Sequence, residues 1–284
     1  MNKSLVVITG ASSGIGATFA RRLARTNDLL LIARRKDKLD ALAAELMASS
    51  PSNVEVLAAD LTVEADLEKV AERIQNEPEL GLLINNAGFG SKGRFWEIPF
   101  KIHADMNKLH VTAVTRLTHA ALRNMVGRDF GSIINVASVA AFLRSPGSAS
   151  YCASKTWMTA LTETVYLELK GMGSNVGIQS LCPGFTYSEF HDKMGVERQR
   201  LAPRSFWLSA DEIVDASLYG LKRGKLFVIP NWRYRTLTSI ASKLPTSIRL
   251  FLEGAGGRVQ RRMLSATAVH KQVGDSSSKG RDSR

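Results

Sequence analysis

The stretch Leu5-Val6-Val7-Ile8-Thr9-Gly10-Ala11-Ser12-Ser13-Gly14-Ile15-Gly16 decides the fold class of this chain. A short apolar run ends in glycines spaced Gly-x-x-x-Gly-x-Gly, and a segment of helical period follows, about 14–25. Glycines let a backbone turn sharply and pass close to a pyrophosphate, and a helix N-terminus just beyond offers free N–H groups and a favourable dipole. The spacing differs from the Gly-x-Gly-x-x-Gly of the common dinucleotide fingerprint. A strand–helix turn that merely needs flexibility would read the same way, so the surroundings must decide.

Outward from this stretch, apolar runs alternate with helix-period segments. Leu5–Ile8, Leu29–Ile32, Val54–Leu57, Leu82–Ile84, Ile133–Val136, Val176–Leu181 and Leu226–Ile229 read as short buried strands. Runs without in/out alternation suit a parallel sheet covered on both faces. Between them, 14–25, 36–48, 63–76, 100–125, 151–170 and 210–221 carry helical patterns. Thr62 stands where it could cap one helix, and Ser209 with Glu212 has the pattern of a capping box. The alternation predicts an α/β, doubly wound, Rossmann-type three-layer sandwich with a seven-stranded parallel sheet. Residues 1–254 read as one domain, with a lid at about 185–209 and a C-terminal helical segment at about 232–253. The Gly- and Ser-rich residues 255–284 read as a flexible basic tail.

The bulk properties narrow the classes. The chain has 284 residues, 44% of them apolar, enough for a large single core. No run reaches the roughly 18 apolar residues of a membrane span. Met1-Asn2-Lys3-Ser4 runs straight into the first strand, leaving no room for a leader, so a cytoplasmic protein is expected. Cys152 and Cys182 make no disulfide framework and read as small apolar filler. The net charge is +12, and from Lys222 onward fourteen basic residues face three acids, so that end carries +11 of it. A nucleic-acid partner would have to rest on that tail alone, and none is expected; no metal-ligand cluster stands out either.

The end of the second strand bears on the cofactor. An acidic residue about 20 residues past the glycines would hold the ribose hydroxyls of NAD. Here the strand ends Leu31-Ile32-Ala33-Arg34-Arg35, with Ala33 where the acid would be. A guanidinium matches a 2′-phosphate in charge and geometry, so NADP (NADPH) is expected. Arg34 is taken as the phosphate reader and Arg35 as a second cofactor contact or the opening of a solvated helix.

Tyr151 and Lys155 lie four apart in Tyr151-Cys152-Ala153-Ser154-Lys155, so on a helix they share a face. An ammonium beside a phenol favours the phenolate, and the tyrosine's pKa is expected to fall from about 10. Such a phenol is an acid–base catalyst for a carbonyl or alcohol. Alone, the pair could be a solvated helix face.

Taken in order, these motifs resemble the short-chain dehydrogenase/reductase family, in its compact single-domain branch, over roughly residues 4–230. Thr9, Gly10, Gly14, Ile15 and Gly16 match its glycine motif, with Ser12 and Ser13 inside the loop. Asp60-Leu61 is similar to the segment that touches the adenine, and Asn85-Asn86-Ala87-Gly88 to the one that steadies the sheet and lines the cofactor. Ser138, Tyr151 and Lys155 match the catalytic positions. Pro183-Gly184-Phe185-Thr186-Tyr187-Ser188 resembles the segment that opens the substrate lid, where Thr186 and Ser188 would contact the nicotinamide carboxamide. The resemblance implies hydride transfer between NADP(H) and a carbonyl or alcohol of a small molecule, in a homodimer or homotetramer.

One position departs from that pattern. The family usually has an asparagine in the middle of its fourth helix, where it holds a water for proton relay; here alignment puts His110 there. The imidazole either replaces the amide in the relay or is a core histidine with satisfied nitrogens. Phe185, Tyr187, Phe190, Met194, Phe206 and Trp207 in the lid suit a hydrophobic substrate, or pack the lid itself. Leu237, Ile240, Ala241, Leu244, Ile248 and Leu252 recur at helical spacing among Arg235, Lys243 and Arg249, and Pro245 should break the run. Packing or a subunit contact ranks first for that segment, a weak contact with an anionic membrane surface second and nucleic acid third. Two other functions fit the fold. A cofactor sensor or scaffold would need neither Ser138 nor Tyr151. An epimerase or dehydratase of the extended branch would have Gly-x-x-Gly-x-x-Gly spacing and a longer substrate domain.

Overall fold

The computed structural model describes residues 3–187, 203–251 and 254. At its centre is a parallel sheet of β1 (Leu5–Thr9), β2 (Asp28–Ala33), β3 (Val54–Ala58), β4 (Leu80–Asn85), β5 (Ser132–Val136), β6 (Gly177–Leu181) and β7 (Phe227–Val228), in the order β3-β2-β1-β4-β5-β6-β7. Every expected strand is present, its ends moved by no more than two residues. The helices are α1 (Gly14–Leu23), α2 (Lys36–Ser49), α3 (Glu64–Gln75), α4 (Phe100–Asn107), α5 (Val114–Met125), α6 (Ala149–Gly171), α7 (Ala210–Lys222) and α8 (Trp232–Lys243).

The strands read as continuous apolar runs because alternate residues feed two separate cores. Val6, Ile8, Leu29, Leu31, Ile84 and Ile134 pack with Phe19 of α1, Leu39 and Leu42 of α2, and Ile213 and Val214 of α7. Leu5, Val7, Leu30, Ile32, Leu83 and Ile133 pack on the other face with Val70 and Ile74 of α3, Leu117 and Ala121 of α5, and Leu169 of α6. The sheet is thus the middle of three layers, as the doubly wound reading requires. Strand order reverses between β1 and β4, and in such sheets the crevice beyond the carboxyl ends at that switch point is the ligand site. The glycine loop leaves β1 there, and Asn86-Ala87-Gly88 leaves β4 beside it.

Local differences have local causes. Thr62 caps nothing: the cap position of α3 is Val63, and the Thr62 hydroxyl donates to Asp60 Oδ1 (2.8 Å). Ser209 and Glu212 do form the capping box of α7. The span read as one helix, 100–125, is α4 and α5 joined by a π-helical turn at Lys108–Ala113 that carries His110. Neither cysteine is in a disulfide and both are buried, and burial pushes the Cys182 thiol up to about 12, so it stays protonated and packs as filler.

The C-terminal segment is helical and breaks before Pro245, but of the positions its apolar period marks in α8 only Ala241 is buried. Tyr234, Thr238 and Ala241 of α8 face inward, whereas Trp232, Leu237, Ile240 and Ile248 are exposed. Core packing of the Leu237–Ile240 stripe is therefore corrected. Leu252 and the tail 255–284 lie outside the described residues, as do Ser188, Phe190 and Met194 of the expected lid. No helix among the described residues is long and apolar enough to cross a membrane.

Candidate active site

The glycine loop is built around Thr9. Its buried hydroxyl accepts from Asn86 N–H (2.9 Å) and Ala87 N–H (3.0 Å) and donates to Ile84 O (3.3 Å), tying β1 to the end of β4. Gly10 (φ +66°) and Gly14 (φ +56°) occupy the left-handed region. Gly16 is required by crowding: a Cβ there would lie 2.4 Å from Gly10 O and 2.6 Å from Asn86 Nδ2. Asn86 Nδ2 also donates to Thr9 O (3.0 Å) and Gly10 O (3.2 Å). The first turn of α1 contains no acid, and no side chain caps it, so its N–H groups and dipole face the crevice.

The two arginines after β2 have different settings. Arg35, at the cap position of α2, turns back over the loop and donates to Ser12 Oγ (3.1 Å) and Ser13 Oγ (3.0 Å). Arg34 is largely exposed, with a long ion pair to Asp60 (3.7 Å). Asp60 accepts from Thr62 N–H (3.0 Å) and the Thr62 hydroxyl. Burial works to raise its carboxyl, but these bonds and Arg34 outweigh burial and hold it below the ordinary value. Leu61 is buried in the core under it.

Ser138, Tyr151 and Lys155 come together at the end of β5 and the start of α6. Ser138 caps a short 3₁₀ turn, its Oγ accepting from Ala140 N–H (3.1 Å), and a hydrogen bond joins its hydroxyl to the Tyr151 phenol. Lys155 is buried, its Nζ donating to Val136 O (2.8 Å) and lying 5.8 Å from the Tyr151 ring centre. The expected fall in the tyrosine's pKa does not occur. Part of the Tyr151 surface reaches the cleft, yet the phenol is enclosed by protein, and burial pushes it up to about 12 against the opposing Ser138 hydrogen bond. Burial likewise brings Lys155 down to about 8. Desolvation disfavours each charged form more than the 5.8 Å neighbour favours it.

His110 is fully buried in the π-helical turn. Its Nε2 accepts from Phe89 N–H (3.1 Å) and its Nδ1 meets Ser154 Oγ (2.9 Å). Both ring nitrogens are therefore engaged, and neither is left to hold a water. Burial first, and the Lys155 charge second, hold the ring well below its ordinary pKa, so it is neutral. Gly88 passes close by: a Cβ there would lie 2.9 Å from His110 Nε2 and 3.7 Å from Lys155 Nζ.

The far wall begins at Pro183. Its carbonyl accepts from Val139 N–H (2.9 Å), and Thr186 is buried, its hydroxyl donating to Gly184 O (3.1 Å). Phe185 stacks on Trp207 (5.2 Å) and Tyr187 leans on the same ring (5.1 Å), so the described lid aromatics pack on one another. Tyr234 of α8 was not singled out in the sequence. Its hydroxyl accepts from Phe185 N–H (3.1 Å) and donates to Phe206 O (3.1 Å), and its ring lies where a Cβ on Gly184 would be. His103, also missed, is buried and joins Phe95 O to Ser150 Oγ. Neither residue belongs to a motif; only the seven-residue interval between His103 and His110 could have drawn notice.

Comparison with known proteins agrees with this geometry. The family model described as short chain dehydrogenase matches residues 4–199. A solved short-chain dehydrogenase from Sphingobium yanoikuyae, in complex with NADPH, is 37% identical, with 86% of this chain and 97% of that one covered at a TM-score of 0.77. A bulky-bulky ketone specific alcohol dehydrogenase from Comamonas testosteroni is 32% identical, with 87% and 96% covered and a TM-score of 0.73. An uncharacterized oxidoreductase of Myxococcus xanthus (strain DK1622) is 30% identical, with 87% of this chain and 95% of its own length covered. A family model matched over more than half of the sequence, on a sheet whose switch point carries the glycine loop, shows that the chain belongs to the short-chain dehydrogenase/reductase family of oxidoreductases.

Proposed function

We propose that this chain transfers hydride between NADP(H) and a carbonyl or alcohol group of a hydrophobic small molecule, with Tyr151 as the acid–base group. The observation that carries the reading is the Ser138–Tyr151 hydrogen bond with Lys155 buried behind it, beside the β1/β4 switch point.

The crevice suits a dinucleotide. The uncapped α1 N-terminus and the backbone of Gly10, Ser12, Ser13, Gly14, Ile15 and Gly16 would hold the pyrophosphate. Arg35 is the better placed 2′-phosphate reader, since it already bends over the loop, and Arg34 would reach the same group from the exposed side. Asp60 and Leu61 would meet the adenine. Asn86, Ala87 and Gly88, with Tyr151 and Lys155, would line the nicotinamide ribose, and Pro183, Gly184 and Thr186 the nicotinamide. A bound nicotinamide supplies the hydride. Ser138 then donates a hydrogen bond to the substrate oxygen, and Tyr151 gives that oxygen its proton in reduction or takes one in oxidation. Their two hydroxyls stabilise the negative charge that develops on the oxygen. Lys155 places a cation behind Tyr151. His110, with both nitrogens engaged, serves here by position rather than as a relay.

The stacked Phe185–Trp207 pair beside the cleft supports a bulky apolar substrate. The NADPH of the Sphingobium structure and the bulky-bulky ketones of the Comamonas enzyme point the same way. A groove of about 410 Å³ along α5 and α6, lined by Leu122, Val126, Val165, Leu169 and Met172 together with His119, Arg123 and Glu168, supports a subunit contact. The test of the function is NADPH and NADH oxidation, side by side, against a panel of ketones and aldehydes. Reduction of bulky ketones with NADPH favoured is expected. No turnover on any carbonyl would sink the reading.

A further inference from the structure

We propose that His103 and His110 act as a pair of positioning residues, which brace the Tyr151 turn of α6 against the β4–α4 loop in opposite tautomers. This rests on the reading of Tyr151 as the acid–base group.

Both imidazoles are buried, one in α4 and one in the π-helical turn seven residues on, and their partners put them on the same side of the α4–α5 rod. Each uses Nδ1 on a serine of α6: His103 meets Ser150 Oγ (2.8 Å) and His110 meets Ser154 Oγ (2.9 Å). The two serines are one turn apart and bracket Tyr151. Each imidazole uses Nε2 on the backbone of the loop that follows β4: His103 meets Phe95 O (3.1 Å) and His110 meets Phe89 N–H (3.1 Å). Two equivalent bridges thus span the same two elements, through serines that flank Tyr151 along α6.

The partners dictate the protons. Phe89 N–H can only donate, so His110 Nε2 carries a lone pair and the proton of the neutral ring sits on Nδ1. That N–H donates to Ser154, whose hydroxyl donates onward to Tyr151 O (3.0 Å). The chain of donors runs in one direction, from Phe89 through His110 and Ser154 into the backbone of Tyr151 itself. Phe95 O can only accept, so His103 carries a proton on Nε2, and the one-proton ring then has its Nδ1 accepting from the Ser150 hydroxyl. A buried side chain with one permitted tautomer and two directional bonds resists rotation, and rings of this kind are what hold a reacting group in register. The ring edge of His110 also faces Tyr151, with centroids 5.9 Å apart.

Two measurements on the full chain test the pair. A long-range ¹H–¹⁵N correlation spectrum of the labelled protein reports ring tautomers, with His110→Asn and His103→Gln assigning the signals. The expected result is the Nδ1–H form for the signal lost in the first variant and the Nε2–H form for the signal lost in the second. One shared tautomer, or the averaged signals of a mobile ring, would overturn the proposal. The second measurement is kinetic. His110→Ala should lower kcat for a reduced ketone by roughly 10- to 100-fold, the scale of a small misplacement of a reacting group, with the KM for NADPH changed less than about threefold. His110→Asn should recover part of kcat, because an amide can accept from Phe89 N–H and donate to Ser154. An alanine variant with lowered melting temperature but undiminished kcat would make the bridge structural only and end the proposal. A wild type that reduces no carbonyl would defeat the oxidoreductase reading, while the tautomers would still decide the brace.

Discussion

The Lys155 ammonium lies 5.8 Å from the centre of the Tyr151 ring and donates to Val136 O at 2.8 Å. Four residues of one helix bring the two side chains to the same face, but the lysine's direct bond goes to the end of β5 rather than to the phenol. The cation is held by the sheet and lies over the Tyr151 ring without touching the phenol. Both groups are enclosed, so burial sets the sign of each shift: the phenol up to about 12, the ammonium down to about 8.

Replacement of Tyr151 by Phe tests the acid directly. It removes one hydroxyl, hydrogen-bonded to Ser138, and leaves the ring that packs edge-on against His110. General acid catalysis contributes roughly 10²- to 10⁴-fold, so kcat for ketone reduction should fall by that much while NADPH binding, read by fluorescence, persists. Near wild-type turnover in the variant would assign the proton to another group.

Spectroscopic titration of the cofactor-free protein tests the pKa shift. Tyrosinate absorbs where tyrosine does not, and Tyr151 should contribute a component near 12, above the ordinary value of 10.0, that is missing in Tyr151→Phe. The linked stability has a definite sign. A raised folded-state pKa contributes stability that is fully present below about pH 10 and is lost as pH rises through about 12. Lys155 has the opposite sign: its contribution is present above 10.5 and is lost as pH falls through about 8. Urea midpoints should therefore rise between about pH 8 and 10 and fall beyond. A Tyr151 component at or below the ordinary value would show that the ammonium outweighs burial.

Much of the fold was legible because the physics that builds it is local and periodic. Strands buried on both faces must be apolar throughout, and Val6 and Val7 feed opposite cores from adjacent positions. The π-helical turn was not legible, since one extra residue in a turn leaves the apolar pattern of 100–125 nearly intact. The placement of Arg35 over the glycine loop was not legible, since it depends on backbone direction at the extended cap position (φ −88°, ψ 90°) and on contacts with Ser12 and Ser13. The face of α8 was misjudged for a tertiary reason. Tyr234 must reach Gly184, which brings Thr238 inward, and the Thr238 hydroxyl is satisfied by Tyr234 O (2.8 Å), so burying it leaves no donor unpaired. His110 could be located by alignment, but its role could not, because Phe89 and Ser154 are remote in sequence.

Cofactor preference should follow Arg35 more than Arg34. A hydrogen bond to a charged group is worth about 1.5–3 kcal/mol, or roughly 10- to 100-fold in affinity. Arg35→Ala should raise the KM for NADPH on that scale and leave NADH nearly unchanged, whereas Arg34→Ala should cost less, its exposed guanidinium being screened by solvent. Equal use of NADPH and NADH by the wild type would remove the 2′-phosphate from the account.

The C-terminal helix should prove necessary to the cleft wall. Tyr234 joins Phe185 N–H and Phe206 O through one hydroxyl, so α8 holds both approaches to the lid at their bases. Removing the hydroxyl takes away a bond from two part-buried backbone groups, a net loss of about 0.5–1.5 kcal/mol for each. Tyr234→Phe should therefore lower the melting temperature while keeping the ring packed on Gly184. Gly184→Ala should do far more harm, because its methyl group would stand 2.1 Å from the Tyr234 ring and one of the two must move. The double variant Gly184→Ala with Tyr234→Ala makes room for that methyl, and its loss of stability should be smaller than the sum of the two single losses. Strict additivity in that cycle would mean that Gly184 and Tyr234 do not press on each other, and the contact that seats α8 against the Pro183-Gly184 segment would have to be sought elsewhere.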